Sequence, residues 1–187
     1  FESIYTLLFT VTVVSETKSA TWWAFSINRV CFSPFEYLAT KLRQHINIEN
    51  FNIDILKTLN LFSFKHGYNN AANILSDNNT FPGIDIAKFG DNINIIKNRK
   101  ILENMSVLKM YDMAIEAYKE YYQYEEIDGS YRKKMELIPE EAFREAVANA
   151  LVHRLWDINA KVRISMFDDK IELLPIVIAI AVGLFFG

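Results

Sequence analysis

One stretch of this chain, residues 137–157, limits the possible folds more than any other. It reads Leu-Ile-Pro-Glu-Glu-Ala-Phe-Arg-Glu-Ala-Val-Ala-Asn-Ala-Leu-Val-His-Arg-Leu-Trp-Asp, a composition rich in helix formers. Pro139 suits the first turn of a helix, where its missing N–H is not needed. Glu140 and Glu141 suit the positive end of the helix dipole. The sequence therefore predicts a helix that begins near Pro139.

Three polar residues of this helix are spaced so that they lie along one stripe. Glu145, Asn149 and His153 follow one another at i, i+4 and i+8, which places them on neighbouring turns. A carboxylate, a carboxamide and an imidazole in a row form an arrangement that can hold a ligand. The alternative is a plain exposed pair, in which Glu145 interacts only with Arg144 or Asn149 in solvent.

The same residues carry a family resemblance. Residues 139–154, followed by Val-Arg-Ile-Ser-Met-Phe-Asp-Asp-Lys-Ile-Glu-Leu at 162–173, resemble the RecG-like ATP-binding domain of bacterial and archaeal transcriptional regulators. That domain usually follows a Schlafen-type (Alba-like) DNA-binding domain and is similar to the GHKL ATPases, such as gyrase and the histidine kinases. Upstream segments that resemble the linker and opening strands of the family lie at 56–62, 67–75 and 83–90.

The resemblance implies a role for each residue of the motif. Glu145 is expected to polarise the attacking water in ATP hydrolysis, and Asn149 to bind the Mg²⁺ that bridges the nucleotide phosphates. His153 and Arg154 extend the nucleotide-binding motif. Arg154 either contacts a phosphate or is a surface residue whose charge suits the C-terminal end of the helix. The implied cofactors are ATP and magnesium, and the implied activity is that of an ATPase.

The chain departs from the family after Leu173. Family members continue into a glycine-rich turn, which forms the adenine pocket and the lid over the phosphates, whereas here Leu-Pro-Ile-Val-Ile-Ala-Ile follows. Val177 and Ile178 cannot replace glycines that approach a phosphate through the backbone. Asp168 and Asp169 are interpreted as turn residues rather than as an adenine-contacting acid. We therefore expect ATPase activity to be weak or lost.

Composition excludes several other classes of protein. A net charge of −3 and a pI near 5.7 argue against a generally basic nucleic-acid surface, so DNA binding is expected only through a missing or degraded N-terminal domain. The single cysteine, Cys31, cannot form an internal disulfide, and the three histidines do not have the spacing of a metal site. These features are typical of a cytoplasmic protein.

The two ends of the chain are apolar. Residues 173–187 are uncharged, but fifteen residues are fewer than the number, about 20, that usually spans a bilayer. A membrane anchor is therefore not expected, and a truncated or frameshifted chain is the preferred hypothesis. The predicted divisions are an unassigned segment at 1–50, a RecG-like ATP-binding domain at 51–173 and an apolar tail at 174–187.

Hydrophobic periodicity predicts an α+β fold. Strands are expected at 1–14, 84–89, 93–96, 161–167 and 170–174, and helices at 35–45, 53–61 and 102–122, with a helix or strand at 69–75. Residues 125–134 are expected to be a charged connection. This order predicts a two-layer sandwich, an incomplete GHKL-like fold with helices on one face of an antiparallel or mixed sheet.

A second function stays open beside nucleotide binding. In this alternative the chain is a non-catalytic module that associates with DNA or with other proteins, and the helix of residues 139–154 serves only for packing. The apolar C-terminal segment would then mediate association or membrane attachment. Nucleotide binding requires Glu145, Asn149 and His153 to face a polar cleft. The interaction module instead predicts that they face bulk solvent or are covered by the C-terminal apolar segment.

Overall fold

The computed structural model forms two compact units. The first contains the described residues up to Phe81 together with Asn104–Lys109, and the second contains Pro82–Glu103 and the described residues from Met110 onward. The structure describes residues 35–46, 48, 50–128, 131–156 and 158–174. The strand predicted at 1–14, Cys31 and the segment 175–187 therefore lie outside the described residues.

The first unit consists of short helices and a small hairpin. Its elements are α1 (Glu36–Ile46), α2 (Ile53–Thr58), β1 (Phe62–Ser63), β2 (Gly67–Tyr68) and α3 (Asn70–Leu75). Asn52 caps α2, because its side chain accepts hydrogen bonds from the N–H groups of Asp54 and Ile55. The helix predicted at 53–61 ends earlier than expected, since Asn60 has a φ of 56° and a left-handed residue cannot continue a helix.

The second unit is the predicted two-layer α+β sandwich. The sheet has the order β4-β3-β7-β8, in which β3 pairs with β7 in parallel and the other pairs are antiparallel. The elements are β3 (Ile84–Phe89), β4 (Ile96–Leu102), α4 (Val107–Tyr122, whose first three residues belong to the first unit), β5 (Gln123–Asp128), β6 (Tyr131–Glu136), α5 (Glu140–Val152), β7 (Val162–Met166) and β8 (Ile171–Leu174).

The long helix α4 provides much of the core, as the periodicity predicted. Tyr111, Tyr118 and Tyr122 are buried, together with Leu108 and Ile115 on the same face. The rings of Tyr118 and Tyr122 stack at 5.6 Å, and Tyr118 also stacks on Phe143 of α5 at 4.9 Å. Stacked aromatic side chains therefore connect the two helices of this layer.

The charged connection predicted at 125–134 is instead part of a β-hairpin. Strands β5 and β6 pair so that Glu125 lies opposite Lys134 and Glu126 opposite Lys133. Opposite charges at facing positions favour a hairpin, and a charge count along the chain does not reveal this pairing. The strand predicted at 93–96 begins only at Ile96, because residues 91–95 form a turn closed by the Gly90 N–H and the Ile95 carbonyl.

None of the helices within the described residues is long and apolar enough to cross a membrane.

Gly83 marks a close approach between two backbone segments at the start of β3. Its carbonyl accepts a hydrogen bond of 3.0 Å from the N–H of Val162, which begins β7. A Cβ atom at this position would lie far closer to the Leu102 carbonyl oxygen than the van der Waals contact distance of the two atoms. Glycine is therefore required here for steric reasons, although its φ is not positive.

We expect Gly83→Ala to destabilise the protein by at least about 1–3 kcal/mol, because the backbone must shift to relieve the overlap. Urea denaturation followed by circular dichroism measures this loss. Gly90→Ala is the matched control, since a Cβ there would meet only the side chains of Ile95 and Lys97, at 3.0–3.4 Å. Equal stability of the two variants would contradict the steric argument.

Candidate functional site

Helix α5 has a buried face and an exposed stripe. Phe143, Val147 and Leu151 are buried, and they fix the side that faces the core. The exposed side carries Glu141, Glu145, Asn149 and, at the C-cap, His153. The stripe predicted from sequence is therefore present as a row of exposed polar side chains.

The N-terminal end of α5 is held by neighbouring side chains. The carboxylate of Glu136 accepts a hydrogen bond of 3.1 Å from the Glu140 N–H, so it caps a helix whose N-cap residue, Pro139, has no side-chain acceptor. The hydroxyl of Tyr118 donates to the carbonyl of Ile138. Burial raises the pKa of Tyr118 to about 12, so this hydroxyl stays protonated as a donor.

Glu140 interacts with three polar or charged side chains at this end of the helix. Its carboxylate lies 3.2 Å from Lys119 and 3.6 Å from Arg144, and it accepts a hydrogen bond of 2.7 Å from Gln123. Arg144 is thus paired with Glu140 through i,i+4 spacing. The exposed pair of Glu145 with Arg144, the alternative raised by the sequence, is not among the ion pairs of the described residues.

Arg154 fixes the other end of α5. The side chain is 3% exposed, and its two Nη atoms donate to the carbonyls of Pro82 and, at 2.6 Å, of Ala160. The guanidinium lies 4.5 Å from the ring centroid of Trp156, and within the described residues its Nε has no partner. Burial lowers the pKa of Arg154 to about 10, so the guanidinium remains charged at neutral pH.

The structure brings three of the four predicted site residues together. Glu145, Asn149 and His153 are all exposed along α5, and no side-chain hydrogen bond or ion pair joins them to the described residues. Arg154 belongs instead to the buried side, where both Nη atoms are engaged by backbone carbonyls. The exposed stripe therefore offers a ligand one carboxylate and one carboxamide, whose oxygen atoms can bind a metal ion, and one imidazole.

A buried lysine forms an interaction that sequence reasoning missed. Lys88 donates a hydrogen bond of 2.6 Å to Asp168, and its ammonium lies 5.0 Å from the ring centroid of Tyr122. The ammonium holds the pKa of Asp168 below its usual range. Since 80 residues separate Lys88 from Asp168, no local pattern reveals the pair. Its geometry fits a structural role at the β7–β8 turn.

A second ion pair lies across strands β3 and β4. Arg99 donates to both carboxylate oxygens of Asp85, at 2.9 and 2.6 Å. This bidentate contact lowers the pKa of Asp85, although burial acts in the opposite direction. Arg163 of β7 lies opposite Asp85 in the sheet register and adds to the positive potential there. Asp85 is thus satisfied as an ion-pair partner and is not a free acid.

Comparison with known proteins supports the fold and assigns no family. No family model and no curated protein matches the chain. Among solved structures the chain is similar to the DIP2311 protein from Corynebacterium diphtheriae, with a TM-score of 0.61 and 19% identity over 84% of this chain. The match covers 34% of that protein, so the chain spans about a third of its length.

We expect Arg154→Met to destabilise the protein by about 2–4 kcal/mol, because it leaves two partly buried carbonyls without donors. Arg154→Lys should fall between Arg154→Met and the wild type, since an ammonium cannot reach both carbonyls with the geometry of a guanidinium. Thermal and urea unfolding measure the effect, with Arg144→Met, a partly exposed arginine of the same helix, as control. If Arg154→Met were no less stable than Arg144→Met, the two hydrogen bonds of Arg154 would contribute nothing measurable to stability.

Proposed function

We propose that the second unit binds Mg-ATP through the exposed stripe of α5, as the resemblance to RecG-like, GHKL-related domains implies. The observation that carries the proposal is the placement of Glu145 and Asn149. Both lie on the exposed side of a helix that is fixed at its two ends, and neither side chain is bonded to another described residue. The fixed helix ends hold the backbone at these two positions in place, and side chains without a partner are available to a ligand.

The donor set fits a hydrated magnesium ion. Magnesium prefers hard oxygen ligands and keeps several of its waters, so one carboxamide oxygen together with phosphate oxygens is sufficient. A dense cluster of protein ligands is not required, and within the described residues no group of three or more acidic, histidine or cysteine side chains is placed to hold a metal. Asn149 is the residue that would hold the ion.

Glu145 has a different role in the proposal. A carboxylate one helical turn from Asn149 can accept a proton from a water directed at the terminal phosphate. When bound, the magnesium ion would offset negative charge on the phosphates. Because Val177 and Ile178 stand where the family has glycines, we propose that hydrolysis is slow compared with binding.

Two other residues of the motif are assigned separately. His153 is exposed at the C-cap of α5 and is retained as a nucleotide contact in the proposal. Arg154 acts through position, since its side chain is only 3% exposed and its Nη atoms donate to the carbonyls of Pro82 and Ala160. In this proposal Arg154 holds the helix end that carries His153.

The biological setting is part of the same proposal. We propose a cytoplasmic transcriptional regulator in which this chain supplies the nucleotide-binding part and a Schlafen-type domain contacts DNA. The fold match to a solved structure about two and a half times as long supports only the idea that domains of this architecture occur within larger proteins.

One observation favours the second candidate, a non-catalytic interaction module. Glu145, Asn149 and His153 are all exposed, as the residues of a solvated helix face also are. In that case the exposed stripe would contribute nothing to nucleotide binding. Binding measurements on variants of the stripe separate the two candidates.

We expect Asn149→Ala to weaken Mg-ATP binding about tenfold, since losing one ligand contact of about 1.4 kcal/mol has that effect. Isothermal titration calorimetry of the full chain, with and without magnesium, measures the change. Glu141→Gln is the matched control, because Glu141 lies on the same exposed stripe one turn before Glu145. Equal affinity of the wild type and Asn149→Ala, or no binding by either, would favour the interaction module.

We expect Glu145→Gln to bind Mg-ATP almost as tightly as the wild type and to lose about a hundredfold in turnover, because an amide cannot accept the proton. Release of inorganic phosphate measures turnover, and calorimetry checks binding in the same samples. Glu141→Gln again serves as control and should leave both quantities unchanged. A Glu145→Gln variant with unaltered turnover would remove the carboxylate from the mechanism.

A further inference from the structure

The first unit carries a row of four aromatic rings that leads from its core to its surface. Phe35 is buried and lies 5.5 Å from Tyr68, Tyr68 lies 5.0 Å from Phe62, and Phe62 lies 5.7 Å from Phe64, as measured between ring centroids. Phe64 is 79% exposed and Tyr68 46% exposed. These four residues are called the aromatic row.

The hairpin that carries the aromatic row is held in a defined shape. Phe62 pairs with Tyr68 and Ser63 with Gly67, and the Gly67 φ of +72° allows the tight return of the chain. The His66 N–H donates to the Ser63 hydroxyl at 3.1 Å, which closes the three-residue loop. The exposed rings are therefore presented by a fixed backbone.

Two lysines lie at the exposed end of the row. The Lys57 ammonium lies 4.2 Å from the Phe64 ring centroid and 2.7 Å from Asp54, which offsets its charge. Lys65 and His66 are exposed in the loop itself, and neither forms an ion pair with any described residue. The loop therefore combines an exposed ring with an uncompensated lysine charge.

The polar groups around the row decide between classes of partner. Burying one phenylalanine contributes only about 1.5–3 kcal/mol, and carrying the adjacent Lys65 and His66 into lipid would cost a comparable amount. A base stacked on an aromatic ring contributes about 1–3 kcal/mol, and neighbouring phosphates attract lysine.

We propose that the aromatic row is a binding site for single-stranded nucleic acid. A base stacks on Phe64, Tyr68 offers a second ring, and Lys65 faces the phosphate backbone. Bases within a duplex are already stacked on one another, so the site selects unpaired strands. Salt weakens the contact between Lys65 and the phosphates, so this contact contributes most at low salt. This activity is independent of Mg-ATP binding by α5.

The test uses the full chain with fluorescein-labelled oligothymidylate or oligouridylate of about 12 nucleotides, without ATP, at about 50 mM salt. Fluorescence anisotropy should show binding that Phe64→Ala weakens about tenfold and that Phe64→Trp preserves, because tryptophan also stacks. Ile127→Ala is the matched control, since Ile127 is a similarly exposed apolar residue, 74% exposed, on the β5–β6 hairpin.

Salt titrations test the charge contribution separately. Lys65→Gln should reduce the slope of log K against log salt by about 0.7, the value for one phosphate contact to a single strand. Lys109→Gln, which removes an exposed charge from α4, should leave the slope unchanged.

Three results would overturn the proposal. The first is an oligonucleotide affinity that Phe64→Ala leaves equal to that of Ile127→Ala, with both variants folded by circular dichroism. The second is duplex binding as tight as single-strand binding. The third is binding to phosphatidylserine vesicles that depends on Phe64 while oligonucleotides do not bind, which would identify a membrane contact. None of these results alters the expected Mg-ATP titration.

Discussion

Backbone carbonyls that fall outside the helices and sheets impose the strongest constraint on the second unit. A carbonyl that is shielded from water and lacks a donor costs up to about 1–3 kcal/mol, so these partly buried carbonyls favour a donor. Tyr118, Tyr122 and Arg154 provide donors, and every bond except that of Arg154 to Ala160 joins residues at least 20 positions apart. Their acceptors are the carbonyls of Ile138, of Phe167 and Lys170, and of Pro82 and Ala160, respectively.

These three side chains have a common consequence for α5. Tyr118 and Arg154 bind segments at the two ends of the helix, while the hydroxyl of Tyr122 binds the turn between β7 and β8. The helix is fixed without using any group on its exposed stripe. Glu145 and Asn149 consequently remain available to a ligand, and the backbone that carries them is held in place, which lowers the part of the entropic cost of binding that comes from the helix.

Local periodicity was sufficient to predict α4, α5 and the β7–β8 hairpin, because the apolar residues of each recur with the spacing of its buried face. The start of α4 was predicted too early, since residue 102 ends β4 and the helix begins at Val107. It was insufficient wherever a partner is remote or lies across a strand pair. The charges of 125–134 predicted a solvated connection, yet they face each other in register and form a hairpin. Arg154 was expected either at a phosphate or at the surface. In the structure it is instead buried and donates to two backbone carbonyls, which the sequence does not indicate. The nucleotide role of the stripe stays a prediction.

A comparison of paired and unpaired side chains separates structural from candidate functional residues in this fold. Asp85, Glu140 and Asp168 each have a cationic partner within 3.6 Å, so their charges are already used in stabilising the protein. Asn149 has no side-chain partner among the described residues, and Phe64, although it contacts Phe62 and Lys57, is 79% exposed. An exposed ring or amide that the fold holds in place contributes little to stability, and its replacement should therefore alter binding while leaving unfolding almost unchanged. A substitution that abolishes binding but leaves the free energy of unfolding unchanged thus identifies a binding residue, as opposed to an exposed residue without a function.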